Sequence, residues 1–250
     1  MTDTELAEKL RKRGWGITSP DQYLIDMEPA FHRIWDEVKP FTMTSPMRGY
    51  AVYKAVEYLE RNEITGDFVE CGVWKGGSCM LMALALLELS QDNRKLYLYD
   101  TFSGMTAPTS EDVIAWNNLS VQKKWDEELR GEKDYFSSWA VGLEDVKNNM
   151  RSVGYPSENI NFVPGDICET LDKTAPEKIA LLRLDTDWYE STVKELEVLY
   201  PLLVSGGILL IDDYGHFKGA RKAVDEFFLK LGQFPYLSRS DYTGRVLVKP

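Results

Sequence analysis

ALLRLDTDWYES at residues 180–191 and GGILLIDDYGHFKGARKAVDEFF at residues 206–228 share one pattern. Each stretch begins with an apolar run typical of a buried strand, and each run ends abruptly in carboxylates. Three more apolar runs occur earlier, with helical patterns between them: DFVEC (67–71), KLYLY (95–99) and INFVPGD (160–166). Strands that alternate with helices in this way predict βαβ units and a parallel sheet.

The C-terminal residues depart from this alternation. YLSRSDYTGRVLVKP (236–250) has two short runs around residues 241–244, which is typical of a hairpin. The predicted fold class is therefore α/β, with a mostly parallel sheet, a C-terminal antiparallel hairpin and helices on both faces. We expect an N-terminal helical extension over residues 1–63, a main domain over residues 64–250, and a helical lid inserted at about residues 106–150.

Composition and charge exclude several classes of function. The chain has 250 residues, 44% of them hydrophobic, which is enough for one sizeable core. Its net charge of −11 argues against a protein that neutralises a phosphate backbone. The longest apolar run, Met80–Leu87, is too short to cross a bilayer, and the N-terminus lacks the pattern of a signal peptide. Three cysteines without a CxxC pair favour a reducing compartment, so we expect a cytoplasmic protein.

Ligands of parallel α/β sheets bind at the carboxyl ends of the strands, so the strand tips are the place to look for a site. The first tip reads DFVECGVWKGGSCM, where Gly72 and Gly76 allow a tight turn and a close approach to a ligand. Residues 72–77 lack the dinucleotide fingerprint G-x-G-x-x-G, which argues against a pyrophosphate cradle. Glu70, just before the turn, would repel a phosphate and attract a cation.

The second tip ends at Asp100, 28 residues after Gly72, where an acid can accept both hydroxyls of a ribose. A glycine turn, a flanking acid and a ribose acid suit a nucleoside that carries positive charge in place of phosphate. S-adenosylmethionine, an adenosine with a sulfonium and an amino acid tail, fits this description. Asp166, after the third strand, would then lie near the adenine.

The last two tips carry the acids of the opening stretches. Asp185 ends one strand, and Asp212 and Asp213 end the next. If these strands are neighbours, three carboxylates meet, and their repulsion raises at least one pKa. A hard divalent cation would relieve it, and an all-oxygen ligand set points to Mg²⁺, with Mn²⁺ or Ca²⁺ as substitutes. The alternative is that these acids are solvated strand ends or helix caps, especially Asp187 and Asp213.

Four motifs resemble, in the same order, those of the macrocin O-methyltransferase family: FVECGVWKGGS, LYDTFSGM, LRLDTDWYEST and IDDYGHFKGARKAVDEF. The similarity runs from about Phe41 to Phe228. It implies a class I methyltransferase fold with a Rossmann-like sheet, a requirement for S-adenosylmethionine and Mg²⁺, and methylation of a sugar hydroxyl on a glycosylated natural product.

The resemblance also implies roles for individual residues. The cofactor-binding candidates lie at the first three strand tips: Glu70, Gly72, Ser78, Asp100, Ser103 and Asp166, to which the glycine turn adds Val73 and Gly76. The metal candidates are Asp185, Asp212 and Asp213. The catalytic candidates are Asp187 as the acid/base, Asp185 beside it, and His216 as the alternative base.

Several alternatives stay open at this point. The acceptor could be a non-sugar diol or a catechol-like molecule, or the chain could be a sugar-binding protein without activity. A nicotinamide oxidoreductase would need the missing pyrophosphate fingerprint, and a nucleic-acid methyltransferase would need a basic face and an NPPY-type motif. The expected partner is a small-molecule glycoside, with no nucleic acid and no membrane. Aromatic residues near the N-terminus favour a homodimer or a higher homo-oligomer.

Overall fold

The computed structural model describes most of the chain, namely residues 3–14, 25–131 and 136–250. Parts of the predicted N-terminal extension and of the predicted lid lie outside the described residues: 1–2, 15–24 and 132–135.

A seven-stranded sheet with the order β3-β2-β1-β4-β5-β7-β6 forms the centre of the molecule. Its strands are β1 (Asp67–Cys71), β2 (Leu96–Asp100), β3 (Ile160–Pro164), β4 (Ile179–Leu184), β5 (Leu203–Ile211), β6 (Ser238–Arg239) and β7 (Arg245–Val248). The first five strands are parallel, and β7 pairs antiparallel with both β5 and β6. The predicted parallel sheet with a C-terminal antiparallel hairpin is confirmed.

The register of the three central strands aligns their tips. Cys71 of β1 pairs with Leu184 of β4, and Leu184 pairs with Ile211 of β5. The hydrogen bonds continue one residue beyond the strands, because Asp185 N–H donates to Cys71 O (2.8 Å) and Asp212 N–H donates to Leu184 O (2.9 Å). The strand order reverses between β1 and β4, which makes this edge the switch point where such sheets bind ligands.

Nine α-helices are described around the sheet: α1 (Asp3–Arg11), α2 (Pro29–Val38), α3 (Pro46–Arg61), α4 (Gly77–Glu88), α5 (Val121–Leu129), α6 (Leu143–Ser152), α7 (Ile167–Thr174), α8 (Tyr189–Leu199) and α9 (Lys218–Lys230). Short 3₁₀ turns occupy Lys39–Phe41, Ser137–Trp139, Ser157–Asn159 and Tyr200–Leu202. Among the described residues, no helix combines the length and the apolar character that a membrane span requires.

Alternation along the strands sends apolar side chains to both faces of the sheet. Phe68 packs into the core on one face, with α2, α3 and α4, whereas its neighbour Val69 packs into the core on the other face, with α7, α8 and α9. Leu181 and Leu182 divide in the same way. A strand buried on both faces reads as a continuous apolar run, which is why β4 and β5 stand out in the sequence.

The segment of the predicted lid packs on the starts of α8 and α9 through a third, smaller apolar cluster: Ile114, Val121, Phe136, Trp188, Phe217 and Ala220. Asp112, fully buried, accepts hydrogen bonds from Thr109 N–H (2.6 Å) and Tyr189 N–H (2.9 Å). The division into an extension, a main domain and a moving lid stays a prediction.

Candidate active site

A cavity of about 300 Å³ opens at the carboxyl edge of β1, β2, β4 and β5. Its size is at the lower end of small-molecule sites. Most of the candidates from the sequence line it: Glu70, Gly72, Val73, Ser78, Asp100, Asp166, Asp185, Asp187, Asp212, Asp213 and His216. Two candidates do not belong to its wall, since Gly76 lies behind the turn and Ser103 lies exposed beside it.

The turn after β1 depends on glycine because the backbone passes directly over the tip of β4. Gly72 has a φ of +84°, and a Cβ at this position would lie 2.0 Å from Asp185 O. No other residue fits without moving one of the two strand tips. The turn ends at Gly76, whose φ of +91° starts α4. The close approach brings the predicted cofactor loop and the acids of β4 into one cavity.

Asp100 holds this turn in place. One of its carboxylate oxygens accepts from Val73 N–H (2.6 Å) and Trp74 N–H (3.1 Å), and the other accepts from Phe102 N–H (2.7 Å). The ribose role of Asp100 stays a prediction, and the structure adds a second role, which is to order the glycine turn. Asp166 likewise caps α7 by accepting from Cys168 N–H (2.8 Å), while its side chain borders the cavity.

Arg183 lies beneath the cavity, on β4, and is 2% exposed. Its guanidinium donates to Glu70 (2.5 Å), Asp185 (2.7 Å) and Asp212 (2.6 Å). Burial opposes its charge, but the carboxylates of Asp185 and Glu70 raise the pKa of Arg183 above its usual value. Glu70 also accepts from the thiol of Cys79 (2.7 Å). One arginine therefore serves three of the acids predicted to be ligand-binding.

Asp212 has a second arginine partner. Arg48, at the start of α3, donates to the Asp212 carboxylate and, through Nε, to Asp241 (3.0 Å). Asp241 is held in turn by Ser45 Oγ (2.7 Å) and by backbone N–H groups of the β6–β7 turn. The carboxylate of Asp212, predicted as a metal ligand, is thus paired with two guanidinium groups in this structure.

Three carboxylates form a second group, in which Asp185 is paired with Arg183 and, among the described residues, Asp187 and Asp213 have no such partner. Asp185, Asp187 and Asp213 each place a ligand oxygen within 4.8 Å of the others. Asp213 Oδ2 is buried and has no hydrogen-bond partner. Asp187 has a φ of +70°, a left-handed conformation that is uncommon outside glycine and that turns its side chain back toward Asp185.

The pKa values of the cluster reflect this crowding. Burial, reinforced by the charges of Asp213 and Glu70 and opposed by Arg183, raises the pKa of Asp185 to about 8. Burial, reinforced by the charges of Asp213 and Asp185, raises the pKa of Asp187 well above its usual value. Without a cation the cluster therefore retains protons at neutral pH.

Neither Asp187 nor Asp213 caps a helix. The N-cap of α8 is Trp188 and that of α9 is Phe217, and neither cap residue accepts a side-chain hydrogen bond. The donor set suits a hard divalent cation, because it consists of carboxylate oxygens and includes a buried oxygen without a partner. The cluster contains two of the three predicted metal ligands, Asp185 and Asp213. Its third member is Asp187, whereas the third predicted ligand was Asp212.

His216 lies on the outer wall of the cavity. Its Nδ1 is 2.9 Å from the hydroxyl of Tyr242, and its ring meets that of Trp116 edge to face at 4.5 Å between centroids. Burial lowers its pKa, an effect that outweighs the charge of Asp213, so the imidazole is neutral at neutral pH.

Sequence reasoning missed Arg183 and Arg48. A signal for Arg183 was available, since a single charge inside the run KIALLRLD must find partners when the strand is buried. No such signal exists for Arg48, which lies 164 positions from Asp212 in the chain. Tyr242 was also missed, because a pairing between two loops leaves no trace in local spacing.

The family model for macrocin O-methyltransferase (TylF) matches residues 33–245 of this chain. The chain belongs to the macrocin O-methyltransferase family. It is therefore a methyltransferase, and S-adenosylmethionine is its methyl donor.

Named relatives agree with this membership. The demethyldecarbamoylnovobiocin O-methyltransferase of Streptomyces niveus is 33% identical over 189 residues, which are 76% of this chain and 68% of the relative. The 8-demethyl-8-(2,3-dimethoxy-alpha-L-rhamnosyl)-tetracenomycin-C 4'-O-methyltransferase of Streptomyces olivaceus is 32% identical over 212 residues, 85% of this chain and 76% of the relative.

Among solved structures, the O-methyltransferase NovP superposes with a TM-score of 0.72 at 30% identity, over 84% of this chain and 82% of its own. This likeness confirms the predicted class I methyltransferase fold.

Proposed function

We propose that this methyltransferase transfers the methyl group of S-adenosylmethionine to a hydroxyl of a sugar on a glycosylated natural product. The names of its relatives support this acceptor class, since they describe enzymes acting on novobiocin precursors, on a rhamnosyl group of tetracenomycin C, and on mycinamicin III. The acceptor hydroxyl would enter the cavity at Asp187.

The observation that carries the chemistry is the orphaned oxygen of Asp213 inside a cluster of three carboxyl groups. We infer that the cluster holds Mg²⁺, with Mn²⁺ or Ca²⁺ as substitutes, through Asp185, Asp213 and one further acid. The resemblance implies that this acid is Asp212, whereas the geometry favours Asp187, because Asp212 is already engaged by Arg48 and Arg183. When bound, the cation would lower the pKa of a sugar hydroxyl and fix its oxygen in place.

The remaining roles fall to side chains of the chain itself. If Asp212 is the third ligand, Asp187 takes the proton of the acceptor hydroxyl, because its carboxyl borders the cavity beside Asp185 and Asp213. His216 is the alternative base, because its neutral ring borders the same cavity. Asp100 and the Gly72 turn orient the adenosine, and Asp166 borders its base. Positioning of this kind can supply roughly 7–11 kcal/mol of the barrier reduction.

A small-molecule acceptor, a cytoplasmic location and assembly into a homo-oligomer remain part of the proposal. The predicted lid also remains part of it. Because residues 112–121 are bonded to one another and to Tyr189, His216 and Phe217, the described part that would close over the acceptor and exclude water is residues 122–131.

The test is methyl transfer from S-adenosylmethionine with a deuterated methyl group to a panel of glycosides, followed by mass spectrometry. We expect a labelled product that disappears on chelation and returns with Mg²⁺. Full turnover in the chelated enzyme would overturn the metal assignment and leave the acceptor assignment intact.

Calorimetry of Mg²⁺ binding separates the two ligand sets. Asp213→Asn should abolish binding under either set. Asp212→Asn should abolish it only if Asp212 is a ligand, and Asp187→Asn only if Asp187 is one. All three variants should still bind S-adenosylhomocysteine, because the glycine turn and Asp100 are unchanged.

A further inference from the structure

Three aromatic side chains from separate parts of the chain meet at the mouth of the cavity, and we call Trp116, His216 and Tyr242 the aromatic rim. The Trp116 ring lies 4.5 Å from that of His216 and 6.4 Å from that of Tyr242, in both cases edge to face. His216 and Tyr242 line the cavity that contains Asp187 and Asp213, and Trp116 is not part of its lining but contacts both of these rings.

The rim is exposed although the backbone beneath it is well held. Trp116 is 61% exposed and Tyr242 is 54% exposed. The loop that carries Trp116 is joined to the segment after β5 by a β-bridge between Ile114 and Phe217 and by Ala115 N–H donating to His216 O (2.8 Å). The fold therefore fixes a tryptophan in place but leaves most of its ring uncovered, which is typical of a binding surface.

The turn that carries Tyr242 is fixed just as closely. Gly215 packs against it so tightly that a Cβ would lie 2.3 Å from Tyr242 O. The hydroxyl of Tyr242 lies 2.9 Å from His216 Nδ1, which orients both rings. Rigid aromatic side chains supply contact area at low entropic cost, because few torsions have to be frozen on binding.

Charge decides which ligand this surface suits. Seven carboxyl side chains line the cavity: Glu70, Asp100, Asp166, Asp185, Asp187, Asp212 and Asp213. Of the described lining residues, only Arg48 carries a full positive charge, and it is engaged by Asp212 and Asp241. Arg48, Arg183 and the proposed divalent cation together carry fewer positive charges than these seven carboxylates carry negative ones, so a nucleoside diphosphate sugar would bring further negative charge to an acidic site. A neutral glycoside would not.

We propose that the aromatic rim binds a planar, apolar aglycone of the acceptor and thereby selects finished, neutral glycosides over nucleoside diphosphate sugars. The inference rests on the proposed sugar methylation and assigns Trp116 and Tyr242 as specificity-determining residues. With the sugar hydroxyl at Asp187, the group beyond the sugar emerges past His216 and stacks on the Trp116 ring.

The test compares three probes that share one sugar: p-nitrophenyl α-L-rhamnoside, methyl α-L-rhamnoside and dTDP-L-rhamnose. Rhamnose is chosen because a relative methylates a rhamnosyl group. Calorimetry is performed with S-adenosylhomocysteine and Mg²⁺ present, and kcat/KM is measured in parallel. We expect the nitrophenyl glycoside to bind about tenfold more tightly than the methyl glycoside, as one or two aromatic contacts allow, and dTDP-L-rhamnose to bind most weakly.

Variants attribute the preference to the rim. Trp116→Ala should reduce the tenfold ratio of the affinities for the nitrophenyl and methyl glycosides to about one. Trp116→Phe should retain most of this ratio, because stacking needs an aromatic face. Phe234→Ala is the matched control, since Phe234 is 88% exposed and does not line the cavity. Its ratio should equal that of the wild type.

The outcomes separate this inference from the proposed function. The proposed role of the aromatic rim is refuted if the affinity ratio is unchanged in Trp116→Ala, or if dTDP-L-rhamnose binds most tightly of the three probes. Equal kcat/KM for both glycosides also overturns the rim but leaves sugar methylation intact. Preferred binding of the nitrophenyl glycoside without methyl transfer refutes the proposed function and supports the rim, and failure of all three probes to bind refutes both.

Discussion

Replacing Arg183 with methionine should destabilise the protein severely, and more so at high pH than at low pH. The side chain is 3% exposed and is the ion-pair partner of Glu70, Asp185 and Asp212. Removing one partner of a buried ion pair typically costs about 3–5 kcal/mol, because the remaining charge stays buried. Asp212 keeps Arg48, so the greatest loss falls on Glu70, which retains only the Cys79 thiol.

Protonation of Glu70 reduces the loss of folding stability at low pH. In the variant, Glu70 has a pKa raised further by burial without its cation, so the folded state binds a proton that the unfolded state releases above about pH 4.3. Stability then falls as pH rises, by about 1.4 kcal/mol per pH unit for one proton, up to the folded pKa. We expect a loss of about 3–5 kcal/mol near pH 8 and roughly 1–2 kcal/mol near pH 5.5.

Urea unfolding followed by circular dichroism at the two pH values measures this difference. Arg33→Met is the matched control, because Arg33 pairs with Glu88 at 3.0 Å on the surface, with side chains 63% and 41% exposed. That pair should contribute no more than about 1 kcal/mol. The double variant Glu70→Gln/Arg183→Met should recover much of the lost stability. A loss below about 1 kcal/mol at both pH values would refute the view that Arg183 compensates these acids.

Four further predictions follow from the cavity. Asp100→Ala should weaken S-adenosylhomocysteine binding in calorimetry by about 10- to 100-fold, since it removes a charged acceptor worth about 1.5–3 kcal/mol and loosens the glycine turn; unchanged affinity in a folded variant would exclude the ribose role. Asp187→Asn should lower kcat by about 10²–10⁴-fold, and a full rate would shift the base assignment to His216. The metal-free protein should lose thermal stability as pH rises from about 4 to 8, because Asp185, with a pKa of about 8, keeps a proton in the folded state that it has lost in the unfolded state. Mg²⁺ should restore more stability at pH 8 than at pH 6. A melting temperature that does not change with pH would contradict the crowding of these carboxyl groups. Hydrogen exchange in residues 122–131 should slow when cofactor and acceptor bind, whereas equal rates in both states would favour a static segment.

The sheet could be predicted from the sequence because each strand of a buried parallel sheet is an apolar run of limited length. Register then brings the tips together, so that residues just after β1, β4 and β5 had to be neighbours. The glycine turn was also predictable, since its close approach to Asp185 O excludes every other side chain. Local patterns suffice when one residue type satisfies a local geometric requirement.

The partners of the acids could not be predicted in the same way. Arg48 reaches Asp212 from the start of α3, and this contact depends on how a helix docks on the sheet edge. Asp241 and the turn that carries Tyr242 depend on the short antiparallel pairing of β6 with β7. Contacts between elements far apart in the chain are set by packing, which leaves no periodic trace in the sequence.

The dipeptide Asp212–Asp213 shows where local reasoning could have gone further. Side chains alternate between the faces of a strand, so adjacent acids at a strand tip diverge instead of sharing one ligand. Asp212 joins Arg48 and Arg183, whereas Asp213 joins Asp185 and Asp187. Asp185 and Asp187 reach the same cluster for a different reason, since Asp187 lies beyond the end of β4 in a left-handed conformation with a φ of +70°.

The acids of the cavity therefore fall into two groups that differ in how their negative charge is neutralised. Glu70 and Asp212 have buried arginines, and Asp185 shares one of them. Within the described part of the chain, Asp187 and Asp213 form no ion pair with a lysine or an arginine, and an oxygen of Asp213 stays unpartnered. We therefore expect a cation at one position in the cavity, beside Asp185, Asp187 and Asp213. For the same reason we expect the folded protein to bind S-adenosylmethionine before any metal is present, since Glu70, just before the glycine turn, is compensated by Arg183 from within the chain.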